Sequence, residues 1–177
     1  MSEMEIRMRV LTESGHINLR GDPHNKVFRK AAEAALGQPL PVDANSMSAG
    51  DHRVYWLGPD EWLITTTAEG KADLLASLHG SLQGHHASVN DVSGGTAMLQ
   101  LSGETVRDVL AKGCTLDFHP DVFKVGHCAQ SGLGKANVLF GLIDDAPTFN
   151  VIVRSSFADY LSQWLQRAGH EYGIELR

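Results

Sequence analysis

The 177 residues, 42% hydrophobic and 20% charged, suffice for one compact soluble domain or two small joined ones, and exclude a large multidomain catalyst. Such a chain buries roughly 70% of the surface its unfolded form exposes, so its core requires neither disulfides nor a structural metal. Fifteen Lys and Arg against 21 Asp and Glu leave a net charge of -6 with no basic run, which argues against nucleic acid as a partner.

The chain opens with a strand pattern over Ile6 to Leu11, then another over Ile17 to Arg20. Asp22 reads as the N-cap and Pro23 as the first residue of a helix whose stripe is Val27, Phe28, Ala31, Ala35 and Leu36; Gly37 and Pro39 end it. An irregular stretch, Pro39 to Asp51, leads to strands Arg53 to Leu57 and Trp62 to Thr67 around the turn Gly58-Pro59-Asp60. A helix over about 69 to 82 repeats Leu74, Leu75, Leu78 and Leu82 and stops before Gly84. Strands Ala87 to Val92 and Thr96 to Leu101 follow, joined by Ser93-Gly94-Gly95. A helix over about 104 to 112 turns Val106, Val109 and Leu110 inward, with Lys112 and Gly113 at its end. Thr115 to Gly126 is irregular, and Ala136 to Ile143 then pairs with Phe149 to Val153 across Asp144-Asp145-Ala146-Pro147. The last helix carries Phe157, Tyr160, Leu161, Trp164 and Leu165 on one face, with Ser155 or Ser156 as cap and Gly169 as stop, before Tyr172, Ile174 and Leu176 alternate.

Residues 16 to 92 therefore run strand, helix, two strands, helix, strand, and residues 95 to 176 repeat that order. The expectation is an α+β fold: duplicated ferredoxin-like β-α-β-β-α-β units, about 1–92 and 93–177, forming one compact body, with an exchange of the strand that precedes each unit allowed by the order. The two irregular stretches are where partner contacts are expected.

No catalytic constellation emerges. Ser131-Gly132-Leu133-Gly134-Lys135 lacks the leading glycine and the trailing hydroxyl of a phosphate loop, since Ala129 and Ala136 hold those positions, and it reads as a strand connection. Ser93-Gly94-Gly95 leads into a strand rather than into a helix N-terminus that meets a pyrophosphate. Cys114, His119, His127 and Cys128 are zinc-ligand types, but adjacent His127 and Cys128 face opposite sides of a strand, so no metal is expected. His85 and His86 suit a helix C-terminus, Asp144 and Asp145 a turn, and neither Ser93 nor Cys114 sits in a nucleophile motif. Val138 to Ile143, the longest mainly apolar stretch, is far short of the ~20 residues that cross a bilayer, so no membrane insertion is expected. Met1-Ser2-Glu3-Met4-Glu5 has no positive region leading into an apolar core, and two cysteines make no disulfide framework; both point to the cytoplasm. Trp164 reads as core. Trp56 and Trp62 flank a turn, where a large apolar side chain is as readily an interface anchor as a core residue.

Four stretches carry a resemblance to the gamma subunit family of heterotetrameric sarcosine oxidase: Leu19-Arg20-Gly21-Asp22-Pro23 with Leu36-Gly37-Gln38-Pro39-Leu40-Pro41; Trp56-Leu57-Gly58-Pro59-Asp60-Glu61-Trp62-Leu63-Ile64; Asp91-Val92-Ser93 with Leu101-Ser102-Gly103-Glu104; and Phe157-Ala158-Asp159-Tyr160-Leu161. The third also resembles the folate-binding fold of glycine-cleavage aminomethyltransferases, with Gly103-Glu104 where those have a Gly-Pro-Asp-like helix start. The resemblance implies a complex that demethylates sarcosine oxidatively to glycine and passes the one-carbon unit to tetrahydrofolate. It implies alpha, beta and delta subunits as partners, which hold the flavins, the nicotinamide dinucleotide and the zinc, while this chain binds no cofactor and serves assembly. Trp56, Trp62 and Arg154 are the implied interface residues, Arg154 within an Arg-Ser-Ser-Phe order one serine longer than the family's Arg-Ser-Phe. The small subunit of a related N-methyl amino acid oxidase or dehydrogenase, such as N-methylglutamate dehydrogenase, and a stand-alone folate-binding protein are the alternatives; a hydrolase using Cys114 or Ser93 is not expected. Made alone, a subunit with an exposed interface is expected to self-associate.

Overall fold

A computed structural model describes residues 6–176. Met1-Ser2-Glu3-Met4-Glu5, on which the expectation of no secretory signal rests, lies outside them. The chain divides into two compact units, one formed by Glu13–Gly94 and the other by the segments before and after it. The first strand, β1 (Arg7–Leu11), belongs to the second unit.

The Glu13–Gly94 unit runs β2 (Ser14–Gly21), α1 (Lys26–Leu36), β3 (Met47–Ala49), β4 (Arg53–Gly58), β5 (Glu61–Thr67), α2 (Lys71–Ser81) and β6 (Ala87–Asp91). Its sheet order is β3-β4-β5-β2-β6, antiparallel throughout. Without β3 this is the ferredoxin-like order. Strand alternation turns Ile17, Leu19, Val54, Trp62 and Ile64 to one face, where they pack with Phe28, Ala32 and Leu36 of α1 and Leu74 and Leu78 of α2. The α1 start differs from expectation. Asp22 and Pro23 form a turn, with Asp22 Oδ1 accepting from His24 N at 2.9 Å, and Asn25 caps the helix by accepting from Val27 N and Phe28 N. An asparagine directly before the helical run satisfies two orphan donors at once, which Asp22 stands too far upstream to reach. Gly37 closes α1 in the left-handed region, φ 66°. β3 lies inside the stretch expected to be irregular.

The second unit runs β7 (Thr96–Ser102), α3 (Val106–Ala111), β8 (Cys128–Leu133), β9 (Ala136–Asp144), β10 (Thr148–Arg154), α4 (Ala158–Ala168) and β11 (Glu175–Leu176). Its sheet order is β11-β1-β7-β10-β9-β8. The final strand of a ferredoxin-like unit should lie beside β7. Here β1 takes that place antiparallel to β7, Met8 opposite Leu101, and β11 moves one position out, parallel to β1. This is the strand exchange that the element order allowed. Leu99, Leu101, Phe140, Leu142, Phe149 and Val151 form the face packed on Val109 and Leu110 of α3 and Leu161 and Leu165 of α4. Neither candidate serine caps α4 with its side chain; Ser155–Phe157 forms a 3-10 turn that feeds the helix and leaves Phe157 exposed. Trp164 packs against this core, beside Gly113, where a Cβ would lie 2.3 Å from the indole.

Candidate functional site

Of the three residues expected at an interface, Trp56 and Trp62 belong to one unit and Arg154 to the other. Trp62 and Trp56 face each other across β4 and β5, but Trp62 is fully buried, its ring 6.2 Å from Phe28 and its Nε1 donating to Pro41 O at 2.7 Å. Of the two roles open to Trp62, its apolar body takes the core place and its one polar atom is satisfied by its own chain. Trp56 is half-buried against the same core, and Arg154 is exposed at the end of β10 in the other unit.

Two of the motifs singled out in the sequence meet at one end of the β2–β5 pair. Gly21 N donates to Asp60 O at 3.0 Å, and the Arg20 guanidinium lies 3.2 Å from Asp60 Oδ2. Gly21 lies so close to Phe28 that a Cβ there would come within 2.3 Å of the ring, so only glycine lets the strand close over α1. Together with the start of β6 these residues line a groove of about 490 Å³. Arg20 and Asp60 are both solvated, which makes their pair a rim feature of small energetic weight.

A second polar group ties α2, β2 and β6. Lys71 Nζ is 2.7 Å from Asp91 Oδ2, Ser93 Oγ donates to Asp91 Oδ1 at 2.6 Å, and His16 N donates to Ser93 Oγ at 2.9 Å. His16 Nε2 lies 3.0 Å from Ser14 Oγ. Hydrogen bonds from Lys71 and then from Ser93 bring the Asp91 carboxyl down to about 2. Burial holds the His16 imidazole below its ordinary value, Asp91 opposing and Lys71 adding to the effect. The group has the residue types of a nucleophile site but not the wiring, because the backbone amide of His16, rather than its ring, meets Ser93 Oγ, and the hydroxyl proton is given to a carboxylate. It works as a clamp.

The other candidates fall on structural roles. Asp144 Oδ1 accepts from Ala146 N at 2.9 Å within the β9–β10 turn, and Gly134, φ 59°, turns β8 into β9 as the strand-connection reading expected. Cys114 Sγ accepts from Leu116 N at 3.5 Å, and Cys128 is buried at the start of β8. Among the described residues no three of His, Cys, Asp and Glu converge as metal ligands, and no helix is long and apolar enough to cross a membrane.

The stretch from 115 to 126 has no regular structure but is firmly held. Phe118 and Phe123 bury their rings against Phe149, with centroids 5.7 Å away in each case. Arg107 donates to both Phe118 O and Phe123 O, and its guanidinium lies over the Phe149 ring. Among the residues the loop then presents to solvent, beside the polar His119, Asp121 and Lys124, are the apolar Val122, 52% exposed, and Val125, 43% exposed. Periodicity could not reveal Arg107, whose partners are carbonyls 11 and 16 residues further on.

Two ferredoxin-like units with an exchanged strand define a fold shared with a glycine cleavage system aminomethyltransferase. The crystal structure of the glycine cleavage system aminomethyltransferase T from Bartonella henselae superposes with a TM-score of 0.71 at 14% identity, over 97% of this chain and 47% of that one. Residues 20–171 match the sarcosine oxidase, gamma subunit family, and the chain belongs to that family. It is 32% identical over 173 residues to the sarcosine oxidase subunit gamma of Corynebacterium sp. strain U-96, covering 96% of this chain and 82% of that one. The heterotetrameric sarcosine oxidase from Corynebacterium sp. U-96, solved in complex with pyrrole 2-carboxylate, contains a chain that superposes with a TM-score of 0.90 at 30% identity, over 99% of this chain and 89% of that one.

Proposed function

We propose that the chain is the small, non-catalytic subunit of a cytoplasmic heterotetrameric sarcosine oxidase, joined there to alpha, beta and delta subunits. In this reading the complex converts sarcosine to glycine and hands the one-carbon unit to tetrahydrofolate. The flavins, nicotinamide dinucleotide and zinc reside in the partners, and this chain contributes assembly and stability. The observation that carries the reading is the likeness, over almost the whole chain, to a subunit of a solved heterotetrameric sarcosine oxidase. Two features of the molecule support a scaffold role. Lys71, Asp91 and Ser93 are engaged in the clamp and Asp144 in a turn, and the 115–126 loop offers exposed valines on an anchored backbone, as a preorganised contact requires. The common β-α-β-β-α-β order of the two units supports an internal duplication with halves meeting near residue 92.

The test is affinity purification of the tagged chain from its native host, with mass spectrometry and a flavin absorbance spectrum of the eluate. Co-elution with large flavoprotein subunits and sarcosine-dependent peroxide formation are expected. A colourless chain recovered alone overturns the reading, and tight binding of a reduced folate by that isolated chain would move the function to folate binding.

A further inference from the structure

We propose that the outer edge of β6 is a strand-docking site which, on the subunit reading above, takes an extended segment of a partner subunit hydrogen-bonded in parallel along Val89 to Asp91. The molecule carries its own template for such a contact. β6 and β1 occupy the same place in their two units, each antiparallel to the unit's opening strand, β2 and β7 respectively. Beyond β1 the sheet continues: β11 pairs with it in parallel, Arg7 opposite Glu175 and Met8 opposite Leu176, and Glu175 N donates to Ile6 O at 2.8 Å. Beyond β6, among the described residues, the sheet stops.

The backbone phase of that edge is fixed. Val92 N donates to His16 O at 2.9 Å, so the inward-bonding pairs of the antiparallel ladder are Asn90 with Asn18 and Ser88 with Arg20. The N–H and C=O groups of Val89 and Asp91 consequently point away from β2, at the spacing a further strand requires. The usual protections of an edge are absent along it. Ala87–Asp91 contains neither Pro nor Lys, and it pairs with β2 through five consecutive residues without a register shift. Its single charge, on Asp91, is held 2.7 Å from Lys71, and Ser88, Asn90 and Asp91 are exposed.

Direction selects the occupant. A parallel strand reaches β6 beside Ala87, where the groove lined by Arg20, His24, Pro59, Asp60, His86 and Ser88 opens. The segment's approach therefore has room, and with Arg20 and Asp60 already paired at the rim it calls for uncharged side chains. A second copy of the chain related by a two-fold axis would pair edge to edge antiparallel, opposite to the β1–β11 precedent, so a segment of another subunit is favoured.

Residue-resolved hydrogen exchange tests this on the complex purified from the native host and on the chain alone. The expected result is that the Val89 and Asp91 amides exchange at least about tenfold more slowly in the complex, while those of Ser88 and Asn90, already bonded inward, change little. Co-purification with the flavoprotein subunits but unchanged exchange at Val89 and Asp91 overturns the docking site and leaves the subunit reading intact; failure to co-purify overturns both. Slowing that appears in the isolated chain as its concentration rises, with dimers in sedimentation, assigns the edge to a second copy and overturns the partner segment. Variants supply an independent check, since Val89→Ala and Val89→Pro both trim the side chain but only the second removes the outward N–H. In competition for the complex, Val89→Ala is expected to be incorporated like the native chain and Val89→Pro to be displaced; equal incorporation of the two overturns the proposal.

Discussion

Lys71 Nζ lies 2.7 Å from Asp91 Oδ2, joining the first residue of α2 to the last residue of β6. The Asp91 carboxyl falls from 3.8 to about 2 in the folded chain, through the Lys71 and Ser93 hydrogen bonds. A depressed carboxylate contributes stability that is present above its unfolded value and is lost as pH falls through the folded one. Asp91 is largely solvated, so its contribution is small, on the order of 1 kcal/mol or less. Urea unfolding between pH 2 and 5 is the measurement: Asp91→Asn should lower the midpoint at pH 5 and flatten the acid limb toward that of Lys71→Met.

His16, in the same cluster, loses stability in the same direction, though here it is the neutral form that folding favours. Burial depresses its imidazole, so the folded chain binds fewer protons than the unfolded one below the ordinary value of 6.5. Its contribution is complete above that value and declines as pH drops beneath it, until the folded pKa is passed. His52, hydrogen-bonded to Thr66 Oγ1 at 3.0 Å and also depressed by burial, acts with the same sign. Thermal unfolding at pH 7.5 and 5.5 should show a loss at the lower pH that His16→Gln reduces and His16→Gln with His52→Gln reduces further.

Trp62 is a core residue whose polar atom fastens the 39–51 stretch to the sheet. Trp62→Phe keeps most of the buried ring but leaves the Pro41 carbonyl without its indole donor, a cost of about 1 kcal/mol from the hydrogen bond together with a small packing loss. Trp62→Ala should cost about 3 to 5 kcal/mol, because Phe28 and Ile64 cannot close the cavity. Chemical denaturation ranks the two. A Trp62→Ala chain as stable as the native one would contradict the buried placement.

The helices and the long strands were legible because their patterns are local. Leu74 and Leu78 recur at helical spacing, and Val138 to Ile143 with Phe149 to Val153 are apolar runs divided by a turn whose Asp144 bonds its own backbone. β3 and β8 were not, since Met-Ser-Ala is only three residues long and Cys-Ala-Gln-Ser-Gly-Leu lacks β-branched residues, and both hold strand form through their neighbours β4 and β9. Element order allowed an exchanged strand but could not say that β1 would displace β11, because pairing is a non-local choice. The polar clamp was half legible: Asp91-Val92-Ser93 stood out by resemblance, yet His16 lies 77 residues from Ser93 and no spacing rule connects them. Trp62 was ambiguous for a plain reason, as proximity to a turn says nothing about which face of β5 the ring takes, and the face is decided by Leu19 and Trp56 on either side.

The 115–126 loop gives the last prediction. Its shape depends on one guanidinium, since Arg107 donates to the carbonyls of Phe118 and Phe123 while its own charge is partly shielded over Phe149. Arg107→Met preserves the aliphatic stem but strands both carbonyls, each of which costs about 1 to 3 kcal/mol unless the loop opens to water. Opening is the cheaper course, because the loop has no ladder to break, and it should carry Phe118 and Phe123 partly out of the core. Limited proteolysis is then expected to cut Arg107→Met faster near Lys124 while β9 and β10 stay protected. Arg107→Lys, which can satisfy one carbonyl at a time but lacks the planar fork, should fall between the variant and the native chain. If the loop presents Val122 and Val125 to a partner, recovery of the complex will fall in the same order, whereas cleavage at native rates in Arg107→Met would show that the two phenylalanines hold the loop unaided.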